Sequence, residues 1–184
     1  MRFVIFGAGA IGGVVGASLH QAEREVALIA RGQHYQAIRT RGLTFERPGS
    51  SVTLEIPVAS TPAELDWNGD EVVLLAVKSQ DTAGALIDLR DAVQVTTPVV
   101  CVQNAVENER AALRLFPHVY GAVVMGAASR RSARAPAVSW LLVASRTTSS
   151  PCHSISPGER ATGISSVTDA PGRSKVRPRV RIAS

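Results

Sequence analysis

Disulfide chemistry has little to work with in this sequence. Two cysteines occur among 184 residues. Cys101 sits in an apolar run and Cys152 lies far downstream, at no spacing that suits a disulfide framework or a metal site. A reducing, cytoplasmic setting is the expectation. Long apolar runs are also missing: the longest in the C-terminal third is Val138 to Ala144, far short of the eighteen or so residues of a membrane span. Phe3 to Leu19, behind Arg2, imitates a secretory leader, but five glycines lie inside it and a periodic acidic and apolar segment follows at once, so no leader is expected. Histidine is sparse. His20, His34, His118 and His153 have no spacing suited to a metal or a catalytic triad, and a surface or packing role is expected for each. Aromatic residues make up 4% of the chain.

Charge is distributed unevenly. Residues 130–184 hold ten basic and two acidic residues, whereas residues 1–129 hold ten basic and thirteen acidic ones. Leu, Ile, Val and Phe supply 39 of the first 129 residues but 10 of the last 55. High net charge with little apolar content is the composition of chains that bury too little surface to order themselves. The expected organisation is a compact domain over 1–128 and a poorly ordered Arg/Ser/Pro-rich basic tail over 129–184. Nucleic-acid binding by that tail would rest on charge alone, because Trp140 is the one aromatic within it.

Periodicity along residues 1–124 alternates between two kinds of segment. Arg2 to Phe6 reads as a strand that runs into Gly7-Ala8-Gly9-Ala10-Ile11-Gly12, after which helical spacing continues to His20. Glu25 to Ala30 is a second strand, and Gln33 to Arg41 a helix closed by Gly42. Leu43 to Phe45 and Val52 to Val58 flank Pro48-Gly49-Ser50 as a hairpin or insertion. Glu71 to Val77 is continuously apolar, as in a strand covered on both faces. A helix follows over Asp81 to Val93, with Asp81 or Ser79 available as N-cap. Pro98 to Val102 is the next strand, Glu107 to Phe116 an amphipathic helix, and Val119 to Val124 a further strand. Five parallel strands alternating with helices make an α/β, Rossmann-type doubly wound sheet.

Chemistry concentrates at the strand ends. The Gly-x-Gly-x-x-Gly spacing follows a strand and opens a helix, the context of a dinucleotide-binding turn. There Gly7 permits the turn, Gly9 admits a pyrophosphate and Gly12 lets helix and strand pack closely. The helix N-terminus adds N–H groups and a positive dipole. Beyond the second strand stands Arg31 in place of the acidic residue that would take the ribose hydroxyls of NAD. A guanidinium suits a 2′-phosphate, so NADP(H) is the expected cofactor. Lys78 follows the strand ending at Val77, and Asn104 follows the one ending at Val102. Both stand at the carboxyl edge, where ligands bind in open α/β sheets. Lys78 suits a phosphate or carboxylate, and Asn104 suits ribose, nicotinamide or substrate.

At these residues the chain resembles the ketopantoate reductase family. The resemblance covers residues 1–128. It rests on the glycine motif, Ala30-Arg31-Gly32-Gln33-His34, Gly42-Leu43, Ala76 through Thr82, Gln103 through Glu109, and Gly121 through Ala127. It implies NADPH-dependent reduction of 2-dehydropantoate to pantoate on the route to pantothenate. It also places Gly7, Ala8, Gly9, Ala10, Ile11, Gly12, Arg31, Lys78, Asn104 and Ala127 around the cofactor, with Asn104 also near a small 2-oxoacid substrate. One departure is Ala105, where the family usually has glycine. A second is that the family adds a helical C-terminal domain supplying the lysine that protonates the forming alkoxide. Nothing after residue 128 has that pattern, and Lys175 lacks matching context, so no catalytic residue is assigned. A shortened or frame-shifted family member is the expectation, and either a reductase or a non-catalytic NADP(H)-binding module fits it.

Overall fold

The structure is a computed structural model and describes residues 1–47, 50–104, 107–124 and 144–147. Its elements are β1 (Arg2–Phe6), α1 (Ala10–Gln21), β2 (Glu25–Ile29), α2 (Gly32–Arg41), β3 (Leu43–Arg47), β4 (Ser50–Leu54), β5 (Val58–Ala59), β6 (Glu71–Leu75), α3 (Thr82–Ala92), β7 (Val99–Cys101), α4 (Glu107–Leu113), β8 (Val119–Ala122) and β9 (Ala144–Thr147). One sheet runs in the order β5-β2-β1-β6-β7-β8-β9, and β3 and β4 form a separate hairpin. The first six strands of that order are parallel, and β9 runs antiparallel to β8.

Successive strand residues point to opposite faces, so an apolar strand feeds two cores at once. Val4, Phe6, Ala27, Ile29, Val73 and Leu75 face α3 and α4, where Leu86, Leu89 and Phe116 close the layer. Ile5, Val26, Leu28 and Leu74 face the other way, against Ala17 of α1, Ile38 of α2, and Leu43 and Phe45 of the hairpin. Helices on both faces of a parallel sheet make the Rossmann-type doubly wound α/β fold that the alternation implies.

The sequence reading needs three adjustments. Val52 to Val58 is not one segment: β4 stays in the hairpin, and β5 leaves it to pair with β2 as a sixth parallel strand. Neither Asp81 nor Ser79 caps α3 through its side chain. A 3₁₀ turn over Ser79–Asp81 runs directly into the helix, and the Asp81 backbone is already helical. Lastly, Ala144–Thr147 carries no strand signal of its own, yet it pairs with β8, whose outer edge offers a row of backbone donors and acceptors. The expected boundary at residue 128 and the rest of 129–184 lie outside the described residues.

At the amino end of the sheet, the Arg2 guanidinium meets the Glu71 carboxylate at 2.8 Å and also donates to the Asp66 carbonyl. Glu71 accepts the Asn68 and Gly69 N–H groups at 2.8 and 2.9 Å. Burial pushes the Glu71 carboxyl upward, but these N–H groups and Arg2 outweigh it and leave it below the usual carboxylate range. This buried cluster ties β6 to β1 at the end of the sheet opposite the glycine turn.

Candidate functional site at the carboxyl edge

The chain leaves β1 toward β2 on one side and later adds β6 on the other, so the carboxyl end of β1 is the point where strand order reverses. The glycine turn occupies that point. The Gly7 and Ala8 N–H groups donate to the Ile29 carbonyl at 3.0 and 3.1 Å, which fastens the turn to the end of β2. Gly7 has φ +104°, and a Cβ there would stand 2.8 Å from the Val77 nitrogen. At Gly12 a Cβ would fall 2.1 Å from the Gly7 carbonyl oxygen. Gly9 differs: a Cβ there would meet nothing within 4 Å. Two glycines are therefore demanded by packing, while the third faces open space at the head of α1. No side chain caps that helix, and the N–H groups of its first turn have no partner one turn back.

Arg31 precedes α2 in extended conformation and is exposed. Among the described residues no carboxylate lies within ion-pairing distance of its guanidinium. His34, one turn into α2, donates from Nε2 to the carbonyl of Ala8 and so joins the Arg31 segment to the glycine turn. This contact is more specific than the surface or packing role expected of that histidine. The remaining described histidines make no such contact with the turn.

On the other side of β1, Lys78 is exposed and its carbonyl accepts the Asp81 N–H at 2.8 Å. Asn104 bridges two strand ends: its Nδ2 donates to the Val124 carbonyl, and its Oδ1 accepts the Val124 N–H, both at 3.1 Å. The amide so engaged retains one N–H and one lone pair for a ligand. Ala127 lies outside the described residues, as does Ala105. The structure thus gathers the glycine turn, Arg31, Lys78 and Asn104 along one edge.

Four residues to which the sequence assigned no site role join that edge through buried and part-buried hydrogen bonds. Gln103 Nε2 donates to the Val77 carbonyl at 2.7 Å and to Thr82 Oγ1 at 2.8 Å. The Thr82 hydroxyl donates to Asn108 Oδ1, and Asn108 Nδ2 donates to Ser79 Oγ, both at 3.1 Å. Gln103-Asn104 and Asn108 were visible as motif letters, but no periodicity marks a side chain that bonds across strands.

Cys101, beneath this edge, is fully buried, and its thiol is pushed up to about 12 by burial and by the nearby Glu109 carboxylate. It is unsuited to act as a thiolate nucleophile. Among the described residues no group of three His, Cys, Asp or Glu side chains could hold a metal ion, and no helix is long and apolar enough to cross a membrane. An open cavity of about 780 Å³ borders α2 near Gly32, Tyr35, Arg41 and Ser60. The glycine turn does not line it, so strand-end geometry, not this hollow, locates the site.

The family model described as "Ketopantoate reductase PanE/ApbA" matches residues 3–143. A 2-dehydropantoate 2-reductase of Pyrococcus horikoshii is 33% identical over 133 residues, which cover 70% of this chain and 41% of the relative. One of Mesorhizobium japonicum is 36% identical over 107 residues, covering 58% of this chain and 32% of that protein. The crystal structure of a PanE/ApbA family ketopantoate reductase from Ralstonia eutropha has 34% identity and a TM-score of 0.66, covering 74% of this chain and 46% of its own. D-mandelate dehydrogenase with NADH and anilino(oxo)acetate has 26% identity and a TM-score of 0.64, over 74% and 45% of the two chains. The matched region spans less than half the length of each of these relatives. With the dinucleotide-type turn at the switch point and a family match across three quarters of its length, this chain belongs to the ketopantoate reductase PanE/ApbA family.

Proposed function

We propose that the chain binds NADP(H) across the carboxyl edge of its sheet and that the bound cofactor serves reduction of a 2-oxoacid, ketopantoate to pantoate. The observation that carries this reading is the pairing of open space at Gly9 with an exposed Arg31 guanidinium that has no carboxylate partner among the described residues. A dianionic phosphate is the natural complement of such a group. The residues present therefore suit a phosphorylated dinucleotide. Gly9 and the first turn of α1, from Ala10 to Gly12, would hold the pyrophosphate, Arg31 the 2′-phosphate, and Lys78 an anionic group of cofactor or substrate. Asn104 would use its remaining N–H and lone pair on ribose, nicotinamide or substrate. When bound, the cofactor supplies the hydride, while the protein contributes orientation and charge.

Reduction also needs a proton at the developing alkoxide, and general acid catalysis contributes typically about 10² to 10⁴ in rate. The chain has two lysines, Lys78 and Lys175, and only Lys78 is among the described residues. Arg31, Lys78 and Asn104 are all exposed, and no described element covers the edge on which they stand. That exposure favours a second reading, a nucleotide-binding module with little turnover of its own, because a water-filled site orients substrate poorly.

The test is titration of the 184-residue chain with NADPH and with NADH, followed by an assay of ketopantoate-dependent NADPH oxidation. Binding in roughly the micromolar range with turnover below about 1 s⁻¹ is expected. Binding with turnover of about 10 s⁻¹ or more would favour the complete reductase over the module. Failure to bind either nicotinamide nucleotide would remove both readings.

A further inference from the structure

We propose that Thr82, together with Gln103, Asn108 and Ser79, is a positioning device for Lys78 that sets where its ammonium stands on the carboxyl edge. The inference rests on the reading that Lys78 meets an anionic group of the nucleotide. Lys78 lies between two tethered neighbours. The carbonyl of Val77, immediately before it, accepts from Gln103 at 2.7 Å, and the hydroxyl of Ser79, immediately after it, accepts from Asn108 at 3.1 Å. Thr82 connects the two tethers, receiving a hydrogen bond from Gln103 at 2.8 Å and giving one to Asn108 at 3.1 Å.

The sense of donation is consistent throughout. Amide N–H groups of Gln103 and Asn108 feed oxygen acceptors, and the single hydroxyl proton of Thr82 goes to Asn108 Oδ1. Thr82, Asn108 and Gln103 are 3%, 4% and 7% exposed, so bulk water does not readily replace a lost partner. The bonds that Gln103 Nε2, Thr82 and Asn108 make stiffen this buried network, while Gln103 Oε1 is buried without a hydrogen-bond partner among the described residues. Lysine, by contrast, is a flexible point charge that gains precision only from where its backbone is held. Gln103 is also the residue before Asn104, whose amide grips Val124. The segment after β7 therefore holds the segments after β6 and β8 through adjacent amides, Asn104 by its own bonds to Val124 and the Lys78 segment through Gln103.

The experiment is fluorescence titration of the full chain with NADPH for wild type, Lys78→Ala, Thr82→Val, Thr82→Ser and the double variant Lys78→Ala/Thr82→Val, at two salt concentrations. Thr82→Val keeps the shape and removes the hydroxyl. It is expected to weaken NADPH roughly threefold to tenfold, the range of one or two hydrogen bonds, and to flatten the salt dependence as Lys78→Ala does. Thr82→Ser restores the hydroxyl and should stay within about twofold of wild type. In the Lys78→Ala background, Thr82→Val should cost nothing further, because its effect passes through the lysine. The inference is overturned if Thr82→Val weakens binding by the same factor with and without Lys78, or leaves binding unchanged. Should Thr82→Val fail to fold, Ser79→Ala at an exposed position gives the same comparison, with an expected loss of about twofold that vanishes in Lys78→Ala. Wild type that binds NADPH while Lys78→Ala binds equally well overturns the inference alone. Wild type that does not bind NADPH overturns the cofactor reading together with it.

Discussion

Two halves of the carboxyl edge are built by different means. On the β1–β2 side, backbone does the work: glycines at 7 and 12 admit a turn that no side chain fits, and the Ile29 carbonyl fastens it. On the β6–β7–β8 side, side-chain amides of Gln103, Asn104 and Asn108 reach across strand ends to hold loops that the backbone alone would leave unconstrained. The difference teaches that a glycine turn and a loop cluster fail differently. The first breaks by steric intrusion, the second by loss of a hydrogen bond, and the expected effects of substitution scale accordingly.

The largest effect is expected at Gly12. Gly12→Ala places a Cβ 2.1 Å from the Gly7 carbonyl oxygen, and overpacking against backbone at this distance should cost about 3 kcal/mol or more. A chemical denaturation curve checks it. Gly9→Ala sharpens the contrast, because its Cβ meets nothing within 4 Å. It should leave the denaturation midpoint unchanged yet weaken NADPH roughly tenfold or more by displacing a charged ligand from its donors. Full NADPH affinity in Gly9→Ala would place the pyrophosphate elsewhere.

Next comes the amino end of the sheet, where a buried ion pair can be broken without touching the site. Glu71→Gln removes the charge facing Arg2, which keeps its bond to the Asp66 carbonyl, and should cost about 1.5 to 3 kcal/mol of stability, with NADPH affinity of the folded fraction retained. The folded pKa of Glu71 is depressed, so its contribution is complete above the ordinary carboxylate range near 4.3. It is lost as pH falls through the lower folded value. Wild type should therefore show an acid limb in a stability–pH profile that is shallower in Glu71→Gln. Identical limbs would show that Glu71 does not titrate as described.

Smaller effects belong to the side-chain bridges. Asn104→Ala releases Val124 from two hydrogen bonds of 3.1 Å and should weaken NADPH by roughly tenfold, about 1.4 kcal/mol. Asn104→Asp keeps the acceptor but sets a carboxylate oxygen against the Val124 carbonyl and adds negative charge beside an anionic nucleotide, so it should weaken NADPH at least as much as the alanine variant. His34→Ala removes the contact to the Ala8 carbonyl, and a loss of about threefold is expected in the same titration. A His34→Ala loss exceeding that of Asn104→Ala would reverse the ranking and make the β1–β2 side depend on side chains as well.

The sequence is informative where backbone geometry restricts residue choice. Glycines at 7 and 12 were legible because almost nothing else fits there, and the apolar runs at Arg2–Phe6, Glu25–Ile29 and Glu71–Leu75 because a strand buried on both faces tolerates little polarity. The edge positions of Arg31, Lys78 and Asn104 followed from counting past strand ends. The Thr82 relay, the His34 contact and the split between β4 and β5 were not legible, since each depends on which segments meet in space. Val58 and Ala59 form a strand because β2 offers them an edge at Leu28 and Ile29, not because two residues carry a signal. Ala144–Thr147 is likewise a strand by partnership with β8.

Cofactor choice at Arg31 is the most direct test of what this edge is for. NADPH and NADH are titrated against wild type and Arg31→Ala under one buffer and salt condition. A charge-assisted hydrogen bond is worth about 1.5 to 3 kcal/mol. Wild type should therefore prefer NADPH, and Arg31→Ala should lose roughly tenfold to a hundredfold in NADPH affinity while NADH affinity stays unchanged. Equal losses for the two nucleotides, or a wild type that does not distinguish them, would contradict the assignment of Arg31 to the 2′-phosphate.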